Sequence, residues 1–150
     1  MTAVQYAELK EQIRFHEGYS PKPYLDTRGL LTIGFGRCLD TKGITRAEAE
    51  VLLDNDIVGA IDALTRRFPW FTRLDPIRQR VLVDLCVQLG INGVARFKKT
   101  IGFIEAGDFE EAALELLRSR LAEQTPNRAQ RLSEMLRSGV APAVSSVRHE

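Results

Sequence analysis

The chain is short of several things that would settle its class at a glance. It has two cysteines, Cys38 and Cys86, in 150 residues. Neither sits in a Cys-x-x-Cys or Cys/His spacing, so the sequence offers no disulfide framework and no zinc site, and synthesis in a reducing cytoplasm is expected. No apolar run approaches the ~20 residues that a membrane span requires, and Met1 to Lys10 lacks the h-region of a signal peptide. Membrane insertion and an export route of its own are therefore not expected. The two histidines, His16 and His149, lie far apart in sequence. No His/Cys/Asp cluster has metal-ligand spacing, no glycine-rich loop leads into a Lys-Ser/Thr phosphate cradle, and no serine sits in a nucleophile elbow. The expectation is chemistry without metal or cofactor.

What is present is an ordinary globular composition, 44% hydrophobic and 27% charged, on a chain long enough for one sizeable core or two lobes that share a helix. The net charge of +1 conceals an asymmetry. Met1 to Thr65 has seven Lys/Arg against ten Asp/Glu, and Arg66 to Arg137 has thirteen against nine. A basic half beside an acidic one suits a polyanionic partner, either nucleic acid or anionic cell wall, although scattered solvated charge accounts for it equally well. The basic residues are not interleaved with aromatics and form no recognition motif, so nucleic acid is not expected as a partner.

Along the chain, Val4, Tyr6, Leu9 and Ile13 recur near helical spacing and Gly18 supplies a stop, which puts Glu17 at a helix C-terminus. From Tyr19 to Leu39, prolines and glycines punctuate short β-branched or aromatic runs, the pattern of a small antiparallel sheet, with Asp26-Thr27-Arg28-Gly29 as a turn. Thr45 and Glu48 form a capping box for a long helix with Leu53, Ile57, Ile61, Leu64 and Phe68 on one face. Asp75-Pro76 opens an apolar helix to Gly90 in which Cys86 is a core residue. Further helices are predicted over Val94 to Ala106, from Asp108 to about Leu121 with Glu111 at its third position, and from Thr125-Pro126 to Gly139. Val140 to Glu150 reads as a frayed tail. The fold class is α+β and predominantly helical: one short sheet, then an all-helical remainder.

One pair of residues has the outline of a glycosidase site. Cutting a glycosidic bond needs a proton donor for the leaving oxygen and a second carboxylate to activate water or attack the sugar. Glu17, at the negative end of a helix and sheltered by burial, would be held protonated; Asp26, at a polar turn rich in N–H groups, would stay ionised. A Glu at a helix end and an Asp in a turn are common on structural grounds alone, so this pairing by itself is only suggestive.

The wider pattern carries more. Phe15-His16-Glu17-Gly18, Pro23-Tyr24-Leu25-Asp26-Thr27 with Gly29, and Thr32-Ile33-Gly34-Phe35-Gly36 resemble, in order and spacing, the catalytic segment of the phage-type lysozymes. Gln88-Leu89-Gly90, Gly93-Val94-Ala95 and Phe97 resemble that family's second-lobe motif. Ser119-Arg120, Gln124-Thr125-Pro126-Asn127-Arg128-Ala129 and Arg131 resemble its C-terminal one. The resemblance implies a two-lobed fold with residues 1–139 as a single catalytic domain: a small sheet lobe over about 15–45, a connecting helix over about 45–68, and a helical lobe over about 69–139 on which the N-terminal helix packs. It implies Glu17 as general acid, Asp26 as the carboxylate that activates water or steadies charge on the sugar, and Thr32 as the hydroxyl that positions the water. Gln88, Thr100, Asn127 and Arg128 become substrate-binding residues, with Arg128 placed to pair with Glu17. Without the resemblance, Thr32 is a plain strand former and Arg128 and Arg131 a solvated helix face.

Two departures flank the small lobe: Arg37 stands where family members commonly have His, and the segment from Cys38 to Ile44 is short. Cys38, Val87 and Glu115 occupy positions where the family can present other substrate-contacting residues. The implied activity is that of an endolysin, a monomer made in the host cytoplasm that cuts peptidoglycan glycan strands once the membrane is permeabilised. Three other readings stand beside it: a wall-binding module of the same fold, a helical nucleic-acid binder, and a lytic transglycosylase, which would use Glu17 without Asp26.

Overall fold

The elements begin and end where side-chain chemistry dictates. In the computed structural model, which describes residues 1–142, helix α1 (Ala3–Glu17) starts at a reciprocal capping box. The Thr2 hydroxyl accepts from the Gln5 N–H at 3.1 Å and the Gln5 amide oxygen accepts from the Thr2 N–H at 2.7 Å. It stops at Gly18, whose positive φ of 69° a side chain would resist. Strands β1 (Ser20–Leu25), β2 (Leu31–Gly34) and β3 (Arg37–Cys38) follow as an antiparallel sheet in that order. Tyr24 pairs with Thr32 and Leu25 with Leu31, but the register is irregular between Ser20 and Tyr24. Pro21 and Pro23 lie in that stretch and have no N–H to give to a ladder.

The chain divides between Leu52 and Leu53, within helix α2 (Arg46–Arg67), into two compact units. In the first, the short link from β3 to α2 is fastened by Arg37. Its guanidinium donates to the Gly43 carbonyl at 3.0 Å and to both oxygens of Glu48 at 2.9 and 2.6 Å. Glu48 also accepts from the Thr45 N–H at 2.8 Å while the Thr45 hydroxyl accepts from the Glu48 N–H at 3.1 Å. The predicted capping box is thus present, and Arg37 grips its acid through a two-pronged, charge-assisted contact. The Arg37 hydrogen bonds, aided by those from Thr45, push the Glu48 pKa down to about 2.

The second unit comprises the remainder of α2, a 3-10 turn (Pro69–Arg73) and helices α3 (Pro76–Ala95), α4 (Lys98–Ala106), α5 (Phe109–Leu117), α6 (Arg120–Gln124) and α7 (Pro126–Ser138). Leu64, Leu82, Leu85, Ile104, Leu116 and Leu136 are fully buried at its centre; each such side chain stabilises the fold by about 1.5–3 kcal/mol relative to exposure. Cys86 is buried among them, as expected. Arg78 closes the end of α7, donating to the carbonyls of Leu136 at 2.8 Å and Arg137 at 3.1 Å while stacking on Phe109.

Two boundaries and one helix face differ from expectation. The helix predicted over Val94 to Ala106 begins only at Lys98, because the chain re-enters helix after a break at Gly90 (φ 74°) and Val94 and Ala95 complete α3. The helix opened by Asp108 stops at Leu117, where the Ser119 hydroxyl takes the Leu116 carbonyl at 2.6 Å; α6 follows separately, and Asp108 makes no side-chain cap. On α2 the predicted apolar face is only partly used: Leu64 is buried, whereas Leu53 and Ile61 remain 45% and 43% exposed. Of the predicted tail, residues 143–150 lie outside the described region.

The Arg37–Glu48 contact makes a pH-dependent prediction. Glu48 has a folded pKa depressed from 4.5 to about 2, so its contribution is present above the unfolded value and is lost as pH falls through that window. Arg37→Ala is expected to melt at a lower temperature than the parent at neutral pH. The gap should narrow as pH falls from about 4.5 towards about 2. Circular dichroism melts across that range check it; a gap independent of pH would mean that the contact contributes nothing through its charge.

Candidate active site

Asp26 ends β1 and starts the turn into β2, and the turn is built around its carboxylate. Oδ1 accepts from the Arg28 N–H at 2.8 Å and the Leu30 N–H at 2.9 Å. The main chain closes in parallel, with Gly29 N–H donating to the Asp26 carbonyl and Asp26 N–H to the Leu30 carbonyl, both at 2.9 Å. The Leu30 N–H is the chief cause that lowers the Asp26 pKa from its ordinary 3.8; partial burial opposes it, and the Arg28 N–H and nearby guanidinium add to the lowering. The side chain remains 24% exposed. It is an ionised acceptor that solvent can reach.

Thr32, on the central strand, is buried at 4% exposure. Its hydroxyl donates to the Leu30 carbonyl at 3.0 Å, not to Asp26. A hydroxyl has one proton, and the carbonyl two residues back takes it. What remains on Thr32 Oγ is acceptor capacity. Leu30 thus serves both residues, its N–H on Asp26 and its carbonyl on Thr32.

Glu17 is the last residue of α1 and is exposed, so the shelter predicted for it is not provided. Its carboxylate instead lies close against a turn of the sheet. A Cβ built on Gly36 would fall 2.4 Å from Glu17 Oε2 and 2.6 Å from its Cδ: the carboxylate rests on the bare backbone of the turn between β2 and β3, where φ is 79°. Glu17 therefore meets the sheet just past the end of β2, and Asp26 lies before its start. Among the described residues no hydrogen bond or ion pair joins the two. The two carboxylates and Thr32 all belong to the first unit.

The residues predicted for substrate binding belong to the second. Arg128, in the first turn of α7, donates through Nε to Asp84 Oδ1 at 2.8 Å and through Nη2 to the Asp84 carbonyl at 3.3 Å. Gln88, one turn beyond Asp84 on α3, donates to the Thr125 hydroxyl at 3.5 Å, and its buried Oε1 has no partner among the described residues. Asn127 is exposed beside them. Thr100 stands apart: it is buried at the start of α4 and lines a depression with Lys98, Lys99, Glu115 and Arg118. Arg131 is half-buried, and His16 is exposed, as a solvated histidine should be. No group of three potential metal ligands occurs among the described residues.

Sequence reasoning missed Asp84, although its i, i+4 spacing to Gln88 on a helix was a usable signal. It also missed the packing of Gly36 against Glu17, which no pattern of residue types announces.

The comparisons with known proteins agree with one another. The chain is 28% identical to probable T4-type lysozyme 1 of Dictyostelium discoideum, the match covering 91% of this chain and 98% of that protein. It is 26% identical to probable T4-type lysozyme 2 of the same organism, with 89% and 95% covered. It is also 26% identical to the pre-baseplate central spike protein of Enterobacteria phage T4, where 87% of this chain matches 28% of a longer protein. A family model, Phage lysozyme, matches residues 14–134, a span that includes both carboxylates, Thr32 and the Asp84–Arg128 pair, and the chain belongs to the phage lysozyme family.

Proposed function

We propose that the protein is a muramidase that hydrolyses the β-1,4 bond between N-acetylmuramic acid and N-acetylglucosamine in peptidoglycan, with inversion at the anomeric carbon. The observation that carries this is the pairing of two differently held carboxylates in one small unit: Glu17 exposed on the backbone of Gly36, and Asp26 ionised in a cage of turn N–H groups. Glu17 gives its proton to the glycosidic oxygen as the bond to C1 breaks. Asp26 takes a proton from the water that attacks C1. Thr32, whose own proton is committed to Leu30, accepts the water's other hydrogen and turns its lone pair towards the sugar. Gln88, Thr100, Asn127 and Arg128 are the proposed substrate contacts in the second unit. The protein acts as a monomer on the wall, reaching it from the cytoplasm through a permeabilised membrane. The alternatives of a wall-binding module and a lytic transglycosylase give Asp26 no part beyond holding its turn.

Glu17→Gln keeps the shape and removes the transferable proton. Turbidity assays on purified peptidoglycan in chelator should show clearing by the parent and a rate lower by ~10²–10⁴ for the variant, with binding to the sedimented wall retained. Lysis by the variant near the parent rate would remove Glu17 from the role.

Gly36→Ala should act through Glu17, because the added methyl enters space held by that carboxylate. Gly34→Ala is the matched control: its φ of 67° imposes similar backbone strain, but nothing lies within 4 Å of its built Cβ. A carboxylate displaced by about 1 Å can lose ~10² in rate. The Gly36 variant should therefore fall well below the Gly34 variant in turnover at similar melting temperature, and equal losses would show strain alone at work.

Inversion is tested by the first product. Inverting glycosidases hold their carboxyl groups about 6.5–9.5 Å apart, against about 5–5.5 Å in retaining ones. Placement of Glu17 and Asp26 beyond opposite ends of β2 favours the wider gap. NMR of the nascent reducing end, recorded before mutarotation, should show the α anomer; a β anomer would mean retention and leave Thr32 without its proposed task.

A further inference from the structure

The contact between Asp84 and Arg128 asks for an explanation that the hydrolytic machinery does not supply. Helix α7 begins weakly. Its cap residue, Thr125, makes no side-chain cap, since its hydroxyl donates back to the Leu121 carbonyl at 3.2 Å. Pro126 occupies the first position, and the first turn holds no acidic residue to meet the positive end of the helix dipole. Into that turn comes Asp84 from α3. Its carboxylate takes Nε of Arg128 at 2.8 Å and lies 2.7 Å from Nη2, which also donates to the Asp84 carbonyl. One residue thus grips the planar guanidinium through both carboxylate and main chain, fixing its tilt as well as its position. One turn further along α3, Gln88 reaches Thr125, so the same face of α3 holds positions 125 and 128 together.

Asp84 and Arg128 are also charged residues on the wall of a groove of about 670 Å³ whose other walls include Ile57, Ile61, Val83 and Val87. An arginine on a four-bond stem beside apolar walls has many rotamers, and holding it in one of them lowers the entropy lost when it meets a ligand.

We infer that Asp84 is a positioning residue for the glycan-cutting reaction: it sets the orientation in which Arg128 engages the substrate. This rests on the proposed role of Arg128 in binding the glycan strand and extends it to a residue outside that set. Asp84 touches no reacting atom in this account, and its effect passes wholly through Arg128.

The test is a double-mutant cycle read on purified peptidoglycan, with Asp84→Ala, Asp84→Asn and Arg128→Ala assayed singly and the alanine changes combined. KM and kcat are measured separately and melting temperatures recorded throughout. Asp84→Ala should lower kcat/KM about tenfold, within the usual coupling between contacting residues. The same change made in Arg128→Ala protein should cost almost nothing more. Asp84→Asn, which retains an oxygen at the same place, should recover part of the loss and keeps the test intact if the alanine variant folds poorly. A loss of equal size in both backgrounds, or one that tracks melting temperature across the set, would overturn the inference by making Asp84 a structural residue only. Parent-like kinetics for Asp84→Ala beside a crippled Arg128→Ala would overturn it while sparing Arg128, whereas parent-like kinetics for Arg128→Ala itself would remove both.

Discussion

The main chain of Leu30 is the constraint on which the proposed chemistry depends. Its N–H holds Asp26 Oδ1, and its carbonyl takes the Thr32 proton. The first contact keeps a half-buried carboxylate ionised; the second converts a hydroxyl of either polarity into an acceptor. A water between two acceptors must aim both its hydrogens at them, and its lone pair is then directed elsewhere by geometry alone. Because the groups that hold Asp26 and Thr32 are backbone groups of a tight turn and its strand, the arrangement exists before substrate arrives.

The other carboxylate is placed by a different means. The Glu17 carboxylate lies against the bare backbone of Gly36, at the end of a helix that Gly18 terminates. The two groups are thus referenced to the two turns flanking β2, and any change in the strand alters their separation. The Arg37–Glu48 contact matters for the same reason, since it ties the far side of the sheet to the capping box of α2 across a short link. Arginine at this position works here as a fastener for the short segment that leads into α2.

Much of this was legible in the residues. Thr45 with Glu48, Asp75 with Pro76, and the glycines at 18, 107 and 139 mark helix ends through local chemistry, and local chemistry is what a sequence displays directly. The turn at Asp26 was readable for the same reason. What was not readable depended on distant approach: the Cα of Gly36 under Glu17, or Asp84 reaching Arg128 across 44 positions. Thr32 shows the intermediate case, where the hydroxyl could be singled out but not the carbonyl that takes its proton. The helix boundaries that shifted, at Ala95 and Leu117, did so where one helix stops and another starts within a few residues, and periodicity cannot tell a break from a bend.

The central claim is that water, activated at Asp26, ends up on the sugar. It is tested most directly by digesting peptidoglycan in water enriched in oxygen-18 and reading the new ends by mass spectrometry. The account predicts one heavy oxygen on each newly formed reducing muramic acid, with none on the released glucosamine hydroxyl. Anhydro ends carrying no heavy oxygen would mean that an internal sugar hydroxyl had attacked in place of water, and would contradict it.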